Sequence, residues 1–372
     1  MSDTAFSWIV DEKVSSCIED DKFFLKALDN AHFASGSTHP NPSVGAVIVK
    51  HGRIIAEGYT QKAGGMHAEK HAMSHATDSV EGATLYVTLE PCCHSGRTPP
   101  CTDAIINARI ARVVYGLRDP NPLVAGKGIK QLEKAGIQVG QIKCDALRSK
   151  AKASIEPFSY FILKKRPYVI LKIATSSDYA LALVGERTQI TGPQSNKIVH
   201  RLRRAVDAIV IGANTLRIDN PQLRARDDEP NHGTQAIRVV LSSNLNLDLS
   251  FAIFDTSVAP TWIFYEKEAS LEKIQQFLNR NIKLIKLKKI TIQALVQYLY
   301  DLGITSLLVE AGKNILSSFM AENLIDEMWW FRSQQNIGDD GLQVFEQIKK
   351  MGLITQEKII VGDDELRISM LS

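Results

Sequence analysis

Apolar positions along the first 140 residues change repeatedly between helical and strand spacing. Residues 21–37 repeat apolar side chains every three or four positions, which predicts a helix, and residues 46–59 form two apolar runs that predict a β-hairpin. Further helices are predicted at 67–78 and 101–109, with a buried strand at 83–90 between them. Strands that alternate with helices in this way predict a three-layer α/β domain with a largely parallel second half.

A second set of elements follows a helical connector that is rich in Lys, Ala and Ser. We expect a first domain over 1–150, a linker over 151–165 and a second domain over 166–372. The secondary-structure elements of the second domain begin after Pro167. Strands of the second domain are predicted at 168–175, 207–212, 236–241, 261–265, 283–287, 305–310, 326–332 and 358–371. Helical stretches between them predict α/β architecture here as well.

Composition narrows the class of protein. Lys and Arg number 44 against 41 Asp and Glu, with no block of like charge, so a nucleic-acid-binding surface is not indicated. No apolar window is long enough for a membrane span, and no signal peptide is predicted, so we expect a cytoplasmic protein without membrane association. The five cysteines are odd in number, which favours a metal or catalytic role over a disulfide framework.

Three side chains could form a catalytic zinc site. His67, Cys101 and a thiolate from Cys92 or Cys93 supply three ligands and leave a fourth position for water. Glu69 lies two residues after His67, where a carboxylate can move protons without binding the metal. His-x-Glu followed by Pro-Cys and a second Cys is the signature of zinc deaminases, and it favours Cys92 over Cys93. His71 is expected to pack within its helix.

The spacing between Cys92 and Cys101, together with "HPNPSVGAVIV", "HAEKHA", "TLEPCCHSGRTPPCTDAII" and "RDPNPLVAGKG", closely resembles the bifunctional deaminase/reductase of riboflavin biosynthesis. The resemblance implies a cytidine-deaminase-like first domain that deaminates 2,5-diamino-6-(5-phosphoribosylamino)pyrimidin-4(3H)-one, a small-molecule substrate. It also implies zinc bound by His67, Cys92 and Cys101, with Glu69 as the proton shuttle. The substrate positions that it implies are Asn41, His94, Arg97 and Asp119.

The second half resembles the reductase domain of the same family, which has a dihydrofolate-reductase-like fold and uses NADPH to convert the ribosyl group to ribityl. The resemblance rests on "LKIATSSD", "NTLRIDNP" and "LLVEAGKNILSSF". It implies substrate contacts at Lys172, Arg187, Arg203, Arg226 and Glu310. The cofactor positions that it implies are Ala174, Gln189, Thr215, Asp219, Gly312, Lys313, Asn314, Ile315, Leu316, Ser317 and Ser318. The family's reductase domains also pair, so a homo-oligomer is expected.

Three residues depart from the family's reductase pattern. Tyr179 replaces the usual glycine, and Arg187 and Gln189 stand where relatives have serine and tryptophan. The two resemblances make a bifunctional enzyme the leading hypothesis. The three departures motivate the alternative, a deaminase whose second domain is degenerate. A nucleic-acid-editing enzyme and a non-catalytic zinc scaffold are further hypotheses. The near-neutral charge and the 7% aromatic content argue against nucleic-acid editing.

Overall fold

The computed structural model describes residues 6, 9, 19–94, 99–122, 124–226, 235–310 and 312–371. The chain divides between Lys165 and Arg166 into two compact units. Both units are built from α-helices around a mixed sheet, which confirms the predicted α/β class. Within the described part of the chain, the longest apolar stretches of helix fall short of what a membrane span requires.

The first unit has five strands and five helices among its described residues. In chain order they are α1 (Glu19–Ala34), β1 (Gly45–Lys50), β2 (Arg53–Tyr59), α2 (Ala68–Ser74), β3 (Thr84–Leu89), α3 (Cys101–Asn107), β4 (Arg112–Leu117), α4 (Lys127–Lys134), β5 (Gln138–Gln141) and α5 (Asp145–Leu163). The strand order is β2-β1-β3-β4-β5. The strands β3, β4 and β5 are parallel, whereas β1 is antiparallel to both of its neighbours.

Alternating side chains of β1 build two cores, one on each face of the sheet. Val47 and Val49 pack with apolar residues of α1 and α5. Ala46 and Ile48 pack with apolar residues of α2, α3 and α4 on the opposite face. Because successive side chains of a strand point to opposite faces, this one strand joins both helical layers to the sheet. The predicted three-layer arrangement is confirmed.

The segment 151–165, for which the sequence predicts a linker, lies almost wholly within α5. Leu147 and Ala151 of this helix are fully buried in the core that α1 shares with the sheet. Pro157 interrupts the helical hydrogen bonding without ending the helix, which continues to Leu163. Ala153, Ser154 and Ile155 are buried as well, so this part of the predicted linker packs as an integral helix of the first unit.

The second unit contains a nine-stranded sheet and a separate two-stranded sheet. Its described elements are β6 (Tyr168–Thr175), β7 (Ala180–Leu183), α6 (Pro193–Ala205), β8 (Ala208–Gly212), α7 (Ala213–Asp219), β9 (Ile237–Leu241), β10 (Thr261–Tyr265), α8 (Leu271–Leu278), β11 (Lys283–Lys286), α9 (Ile292–Asp301), β12 (Ser306–Val309), α10 (Lys313–Ala321), β13 (Glu327–Arg332), β14 (Gly341–Gln343), α11 (Phe345–Lys349), β15 (Leu353–Val361) and β16 (Asp364–Leu371). The large sheet has the order β11-β10-β9-β8-β12-β6-β13-β16-β15.

Strand direction in the large sheet changes near its C-terminal edge. The first seven strands in the sheet order, β11-β10-β9-β8-β12-β6-β13, pair in parallel. The last two, β16 and β15, form a hairpin that pairs with β13 in the antiparallel direction. The sequence prediction of one strand over 358–371 is therefore wrong. Gly362, at a φ of 63°, forms the turn, and the alternating pattern on both sides of this glycine reads as one run.

Gly45 is required by the close packing of α1 on β1. A Cβ at this position would lie 1.9 Å from the carbonyl oxygen of Ala27. We expect Gly45→Ala to lower the free energy of unfolding of the first unit by about 1–3 kcal/mol, because the helix must move to admit the methyl group. Chemical denaturation measures this change.

Gly140 provides the matched control for that substitution. It also lies in a strand of the first unit, and a Cβ there would meet no atom within 4 Å. We expect Gly140→Ala to change the free energy of unfolding by less than about 0.5 kcal/mol. Equal destabilisation by the two variants would contradict the packing argument.

Candidate active sites

His67, Cys92 and Cys101 come together at one edge of the first unit's sheet. His67 immediately precedes α2, Cys92 follows β3, and Cys101 is the first residue of α3. The Nδ1 atom of His67 lies 3.5 Å from the Sγ atom of each cysteine. The three donor atoms all lie within 4.8 Å of one another, which is close enough for them to hold one metal ion.

Backbone hydrogen bonds fix the two cysteines relative to each other. The N–H groups of Cys101 and Thr102, at the start of α3, donate to the carbonyl oxygen of Cys92 at 3.0 and 3.1 Å. The N–H of Cys101 also lies 3.4 Å from the Sγ of Cys92. Because N–H groups at a helix start have no partner within the helix, they are available to bind this loop. These hydrogen bonds hold Cys92 against the first turn of α3, and Cys92 together with this turn is called the ligand frame.

The two thiols behave as a coupled pair. The hydrogen bond from Cys101 lowers the pKa of Cys92, and the same hydrogen bond raises the pKa of Cys101. The hydrogen bond to Cys92 also raises the pKa of His67 above its usual range. A divalent cation would replace the shared proton and stabilise both thiolates. One imidazole and two thiolates are a donor set that suits zinc.

Cys93 and His71 lie outside this donor cluster. Burial raises the pKa of Cys93, which opposes the thiolate form that metal binding requires. His71 accepts a hydrogen bond at Nδ1 from the backbone N–H of Tyr59, at 3.1 Å, and its ring packs on the ring of Tyr59 at 4.7 Å. His71 therefore ties α2 to β2.

Glu69 lies beside the donor cluster in the first turn of α2. Its side chain is buried, and burial raises the pKa of its carboxyl group. Its carboxyl group also forms a hydrogen bond with the thiol of Cys101. A raised pKa makes a carboxyl group a better proton acceptor, which favours its use as a general base and then as a general acid.

A cavity of about 340 Å³ adjoins Glu69, His67 and Cys92. Three of the four substrate positions predicted from the family resemblance line it: Asn41, His94 and Asp119. Arg97, the fourth, lies outside the described residues. Burial raises the pKa of Asp119 to about 6. Of the predicted deaminase residues in the described part of the chain, all but the buried Cys101 line this cavity.

Sequence reasoning missed an apolar wall of this cavity. Phe158, Phe161 and Ile162 of α5 line it opposite the polar residues. Their positions i, i+3 and i+4 lie on one face of a helix, so the spacing was a usable signal. It was overlooked because the segment was taken for a linker. Flat apolar side chains at this position can pack against a planar ring.

The second unit contains a buried charged cluster. Arg203 of α6 forms a two-point ion pair with Glu310, which follows β12, at 2.6 Å from Nε to Oε1 and 2.8 Å from Nη2 to Oε2. Burial alone would raise the pKa of Glu310, but the charges of Arg203 and Lys172 lower it to about 2. Burial lowers the pKa of Lys172 of β6. Lys172 and Glu310 therefore belong to one electrostatic unit.

Asp219 extends this cluster towards the predicted cofactor positions. Burial raises the pKa of Asp219, and the positive charges of Arg187 and Lys172 oppose that shift. Arg226 is exposed, and its backbone N–H donates to Nδ1 of His200. Burial and the positive charge of Arg203 lower the pKa of His200, and the negative charge of Glu310 opposes this shift. Of the substrate positions predicted for the second unit, Arg203 and Glu310 act directly on the charge of Lys172, whereas Arg187 acts on Asp219 and Arg226 contacts His200.

The predicted cofactor positions divide between the cleft and the core. A Cβ at Gly312 would lie 3.6 Å from Oγ1 of Thr215, so these two residues are neighbours. Gly312 precedes α10, whose first N–H groups have no helical partner. Leu316, in contrast, is fully buried in the hydrophobic core. Of the remaining positions, Ala174, Lys313, Ile315 and Ser317 are partly exposed, whereas Gln189, Asn314 and Ser318 are exposed.

Tyr179, the residue that replaces the family's glycine, adopts a φ of 67°, the left-handed region that glycine favours. Its ring packs on Phe345 at 4.7 Å and on Trp330 at 5.8 Å, and the guanidinium of Arg332 lies 5.0 Å from the ring centroid. These contacts compensate for the backbone conformation and account for the side chain's position.

Comparison with known proteins gives two family matches, one in each unit. Residues 18–117 match the cytidine and deoxycytidylate deaminase zinc-binding region. Residues 167–359 match the RibD C-terminal domain. The predicted fold class, a cytidine-deaminase-like domain followed by a dihydrofolate-reductase-like domain, is confirmed.

Full-length relatives combine both parts in one chain. The riboflavin biosynthesis protein RibD of Aquifex aeolicus is 40% identical over 341 residues, which cover 90% of this chain and 94% of the relative. The structure of Acinetobacter baumannii RibD has a TM-score of 0.81 at 32% identity, covering 95% of this chain and 99% of that one. A Thermotoga maritima diaminohydroxyphosphoribosylaminopyrimidine deaminase/5-amino-6-(5-phosphoribosylamino)uracil reductase has a TM-score of 0.82 at 34% identity, with the same coverage.

Cys101 provides a test of the donor cluster. We expect Cys101→Ser to lower zinc affinity by more than about 100-fold, because loss of a ligand exceeds the 10–100-fold cost of losing an outer hydrogen-bond partner. Zinc content after dialysis against a chelator measures the change. Cys93→Ser is the matched control and is expected to retain wild-type zinc content. Loss of zinc in the Cys93 variant alone would contradict the donor set.

Proposed function

Because this chain belongs to the RibD family of riboflavin biosynthesis proteins, we propose that its two units catalyse successive reactions. The first unit deaminates 2,5-diamino-6-(5-phosphoribosylamino)pyrimidin-4(3H)-one to 5-amino-6-(5-phosphoribosylamino)uracil with zinc. The second unit then reduces the ribosyl group of this product to ribityl with NADPH. The observation that carries the proposal is the cluster of His67, Cys92 and Cys101 beside a cavity that the buried Glu69 also lines.

In the first unit, His67, Cys92 and Cys101 are the residues that hold zinc. When bound, zinc supplies Lewis-acid activation of a water molecule beside the substrate ring. Glu69 takes a proton from the attacking water and delivers it to a ring nitrogen of the substrate. It then carries the proton of the new hydroxyl group to the amino group, which leaves as ammonia while the carbon–oxygen bond becomes a carbonyl group. Such proton transfer contributes about 10²–10⁴-fold to the rate. The raised pKa of Glu69 suits both halves of this task.

The cavity walls orient the pyrimidine ring for this reaction. Phe158 and Phe161 pack against one part of the ring and exclude water. Asn41 and Asp119 supply polar contacts on the other side. Arg97 and His94 suit the ribose phosphate because both can carry positive charge. We assign substrate binding to these residues.

In the second unit, reduction adds a hydride to C1′ of the sugar and a proton to the oxygen that is released when the ring opens. NADPH supplies the hydride when bound. Lys172 is suited to supply the proton, since burial lowers its pKa and Glu310 keeps it charged. Arg203 and Glu310 fix each other and thereby orient Lys172. Arg187 and Arg226 carry positive charge suited to the substrate phosphate.

The cofactor is assigned to the cleft beside Thr215, Asp219 and the start of α10. Free N–H groups at a helix start favour a phosphate group, and Lys313 adds positive charge there. Ala174 and Gln189 complete the proposed cofactor set, together with Gly312, Asn314, Ile315, Ser317 and Ser318. Leu316 supports this helix from the core.

An active reductase is favoured over a degenerate second unit. The packing of Tyr179 on Trp330 and Phe345 accounts for that departure from the family pattern without loss of the charged cluster. Arg187 acts electrostatically on Asp219, which is consistent with a role at the substrate. We further propose that the chain works in the cytoplasm and forms a homo-oligomer, as the resemblance implies.

Glu69→Gln tests the deaminase. We expect deamination to fall by about 10²–10⁴-fold, because glutamine cannot transfer the proton. Zinc content and NADPH oxidation on the deaminated substrate should stay at wild-type values, since the zinc donors and the second unit are untouched. Product analysis of one purified sample measures all three. Unchanged deamination in this variant would refute the assigned mechanism.

Lys172→Met tests the reductase. We expect NADPH oxidation to fall by about 10²-fold or more, because the proton donor is removed while its aliphatic volume is kept. Lys197→Met, at an exposed position of α6, is the matched control and should retain wild-type NADPH oxidation. Deamination should be unchanged in both. Equal loss of NADPH oxidation in the two variants would rule out a specific role for Lys172.

A further inference from the structure

The carboxylate of Glu90 accepts four backbone N–H groups from one segment of the first unit. Its Oε2 atom accepts the N–H of Gly126 at 2.8 Å and that of Asp119 at 3.3 Å. Its Oε1 atom accepts the N–H of Gly128 at 3.0 Å and that of Ile129 at 3.3 Å. A carboxylate offers about four lone-pair positions. The protein therefore fills the hydrogen-bonding capacity of Glu90 and leaves none for a substrate.

The start of α4 is shaped to receive this carboxylate. Gly128 and Ile129 lie in the first turn of the helix, where N–H groups lack helical partners and negative charge is favoured. A Cβ at Gly128 would lie 2.1 Å from the carbonyl oxygen of Pro91, so glycine is required for this approach. Glu90 is 3% exposed. The contact is thus a built feature of the interior.

Glu90 connects two parts of the proposed deaminase site. Along the chain it stands two residues before Cys92, a proposed zinc ligand. Through its hydrogen bonds it holds the segment that carries Asp119, whose side chain lines the cavity. Asp119 in turn accepts the N–H of Asn121, also at the cavity, at 2.8 Å. Two contacts therefore hold these polar residues near Cys92: the backbone pairing of β3 with β4, which extends to the N–H of Glu90 and the carbonyl oxygen of Leu117, and the side chain of Glu90.

We propose that Glu90 is a positioning residue of the deaminase, which holds Asp119 and Asn121 where the substrate ring meets them. This inference rests on the proposed deaminase function. Glu90 also lines this cavity, but its carboxylate oxygens are occupied by four backbone N–H groups, so it acts through the segment that it binds. Loss of the Glu90 carboxylate therefore weakens substrate binding more than it weakens the proton transfer by Glu69. Glu69 lies on α2, outside the segment that Glu90 binds.

Glu90→Gln separates these two effects. Glutamine keeps the shape of the side chain but replaces one acceptor oxygen with an NH2 group, which faces two N–H donors. Half of the contacts to the segment are lost, and Asp119 shifts. We expect KM for deamination to rise about tenfold, with kcat within about threefold of wild type, because each lost hydrogen bond to a charged group weakens its partner's placement. Zinc content should remain at the wild-type value.

A double-mutant cycle with Asp119→Asn gives the readout that a general structural role would not change. If Glu90 acts through Asp119, both substitutions weaken the same contact between the Asp119 carboxyl group and the substrate, and Glu90→Gln should raise KM less than about twofold in the Asp119→Asn chain. Glu133→Gln, at an exposed position of α4, is the matched control and should leave KM and kcat unchanged.

Each remaining outcome contradicts the proposal in a distinct way. An unchanged KM in Glu90→Gln, or effects on KM that multiply in the double variant, overturns the coupling to Asp119. Loss of zinc from Glu90→Gln assigns this residue to folding of the ligand frame and also overturns the proposal. An inactive wild-type chain that retains zinc overturns the proposed function itself, so the two failures are distinguishable.

Discussion

The site of the first unit depends on how several acidic groups are stabilised in one buried place. Burial of a charge is costly unless it is paired or hydrogen-bonded. Glu90 is stabilised by four backbone N–H groups, whereas Asp119 and Glu69 respond to burial with raised pKa values. The thiols of Cys92 and Cys101 share a hydrogen bond, and a zinc ion would stabilise both as thiolates. Because each group is stabilised differently, each is suited to a different role: Glu90 to positioning, Glu69 to proton transfer and the two thiols to metal binding.

In the second unit, the buried charges that must be paired are mainly positive. Lys172 and Arg203 are largely withdrawn from water, and Glu310 is the anion that makes this tolerable. A positive cluster of this kind suits a phosphorylated sugar and a nucleotide cofactor. One chain thus combines a site suited to a metal cation with a site suited to phosphorylated ligands. The product of the first reaction is the proposed substrate of the second.

The sequence predicted the parts of the site that motifs define and missed those that depend on packing. His67, Glu69, Cys92 and Cys101 have diagnostic spacing, and the alternation of strands with helices predicted the layers around them. The apolar wall from α5 was missed because Phe158, Phe161 and Ile162 fall in the segment for which a linker is predicted. Glu90 was missed because its role depends on the N–H groups of a segment about thirty residues away, which no local pattern reveals.

Deamination by the first unit requires an open zinc site with three protein ligands beside a proton-transferring carboxyl group. X-ray absorption at the zinc edge of the purified chain distinguishes such a site from a closed one. An open site with these ligands gives two sulfur atoms at about 2.3 Å and two nitrogen or oxygen atoms at about 2.0–2.2 Å, one of them from His67. Three or four sulfur atoms would indicate a closed structural site that includes Cys93, and the proposed deaminase mechanism would then be wrong.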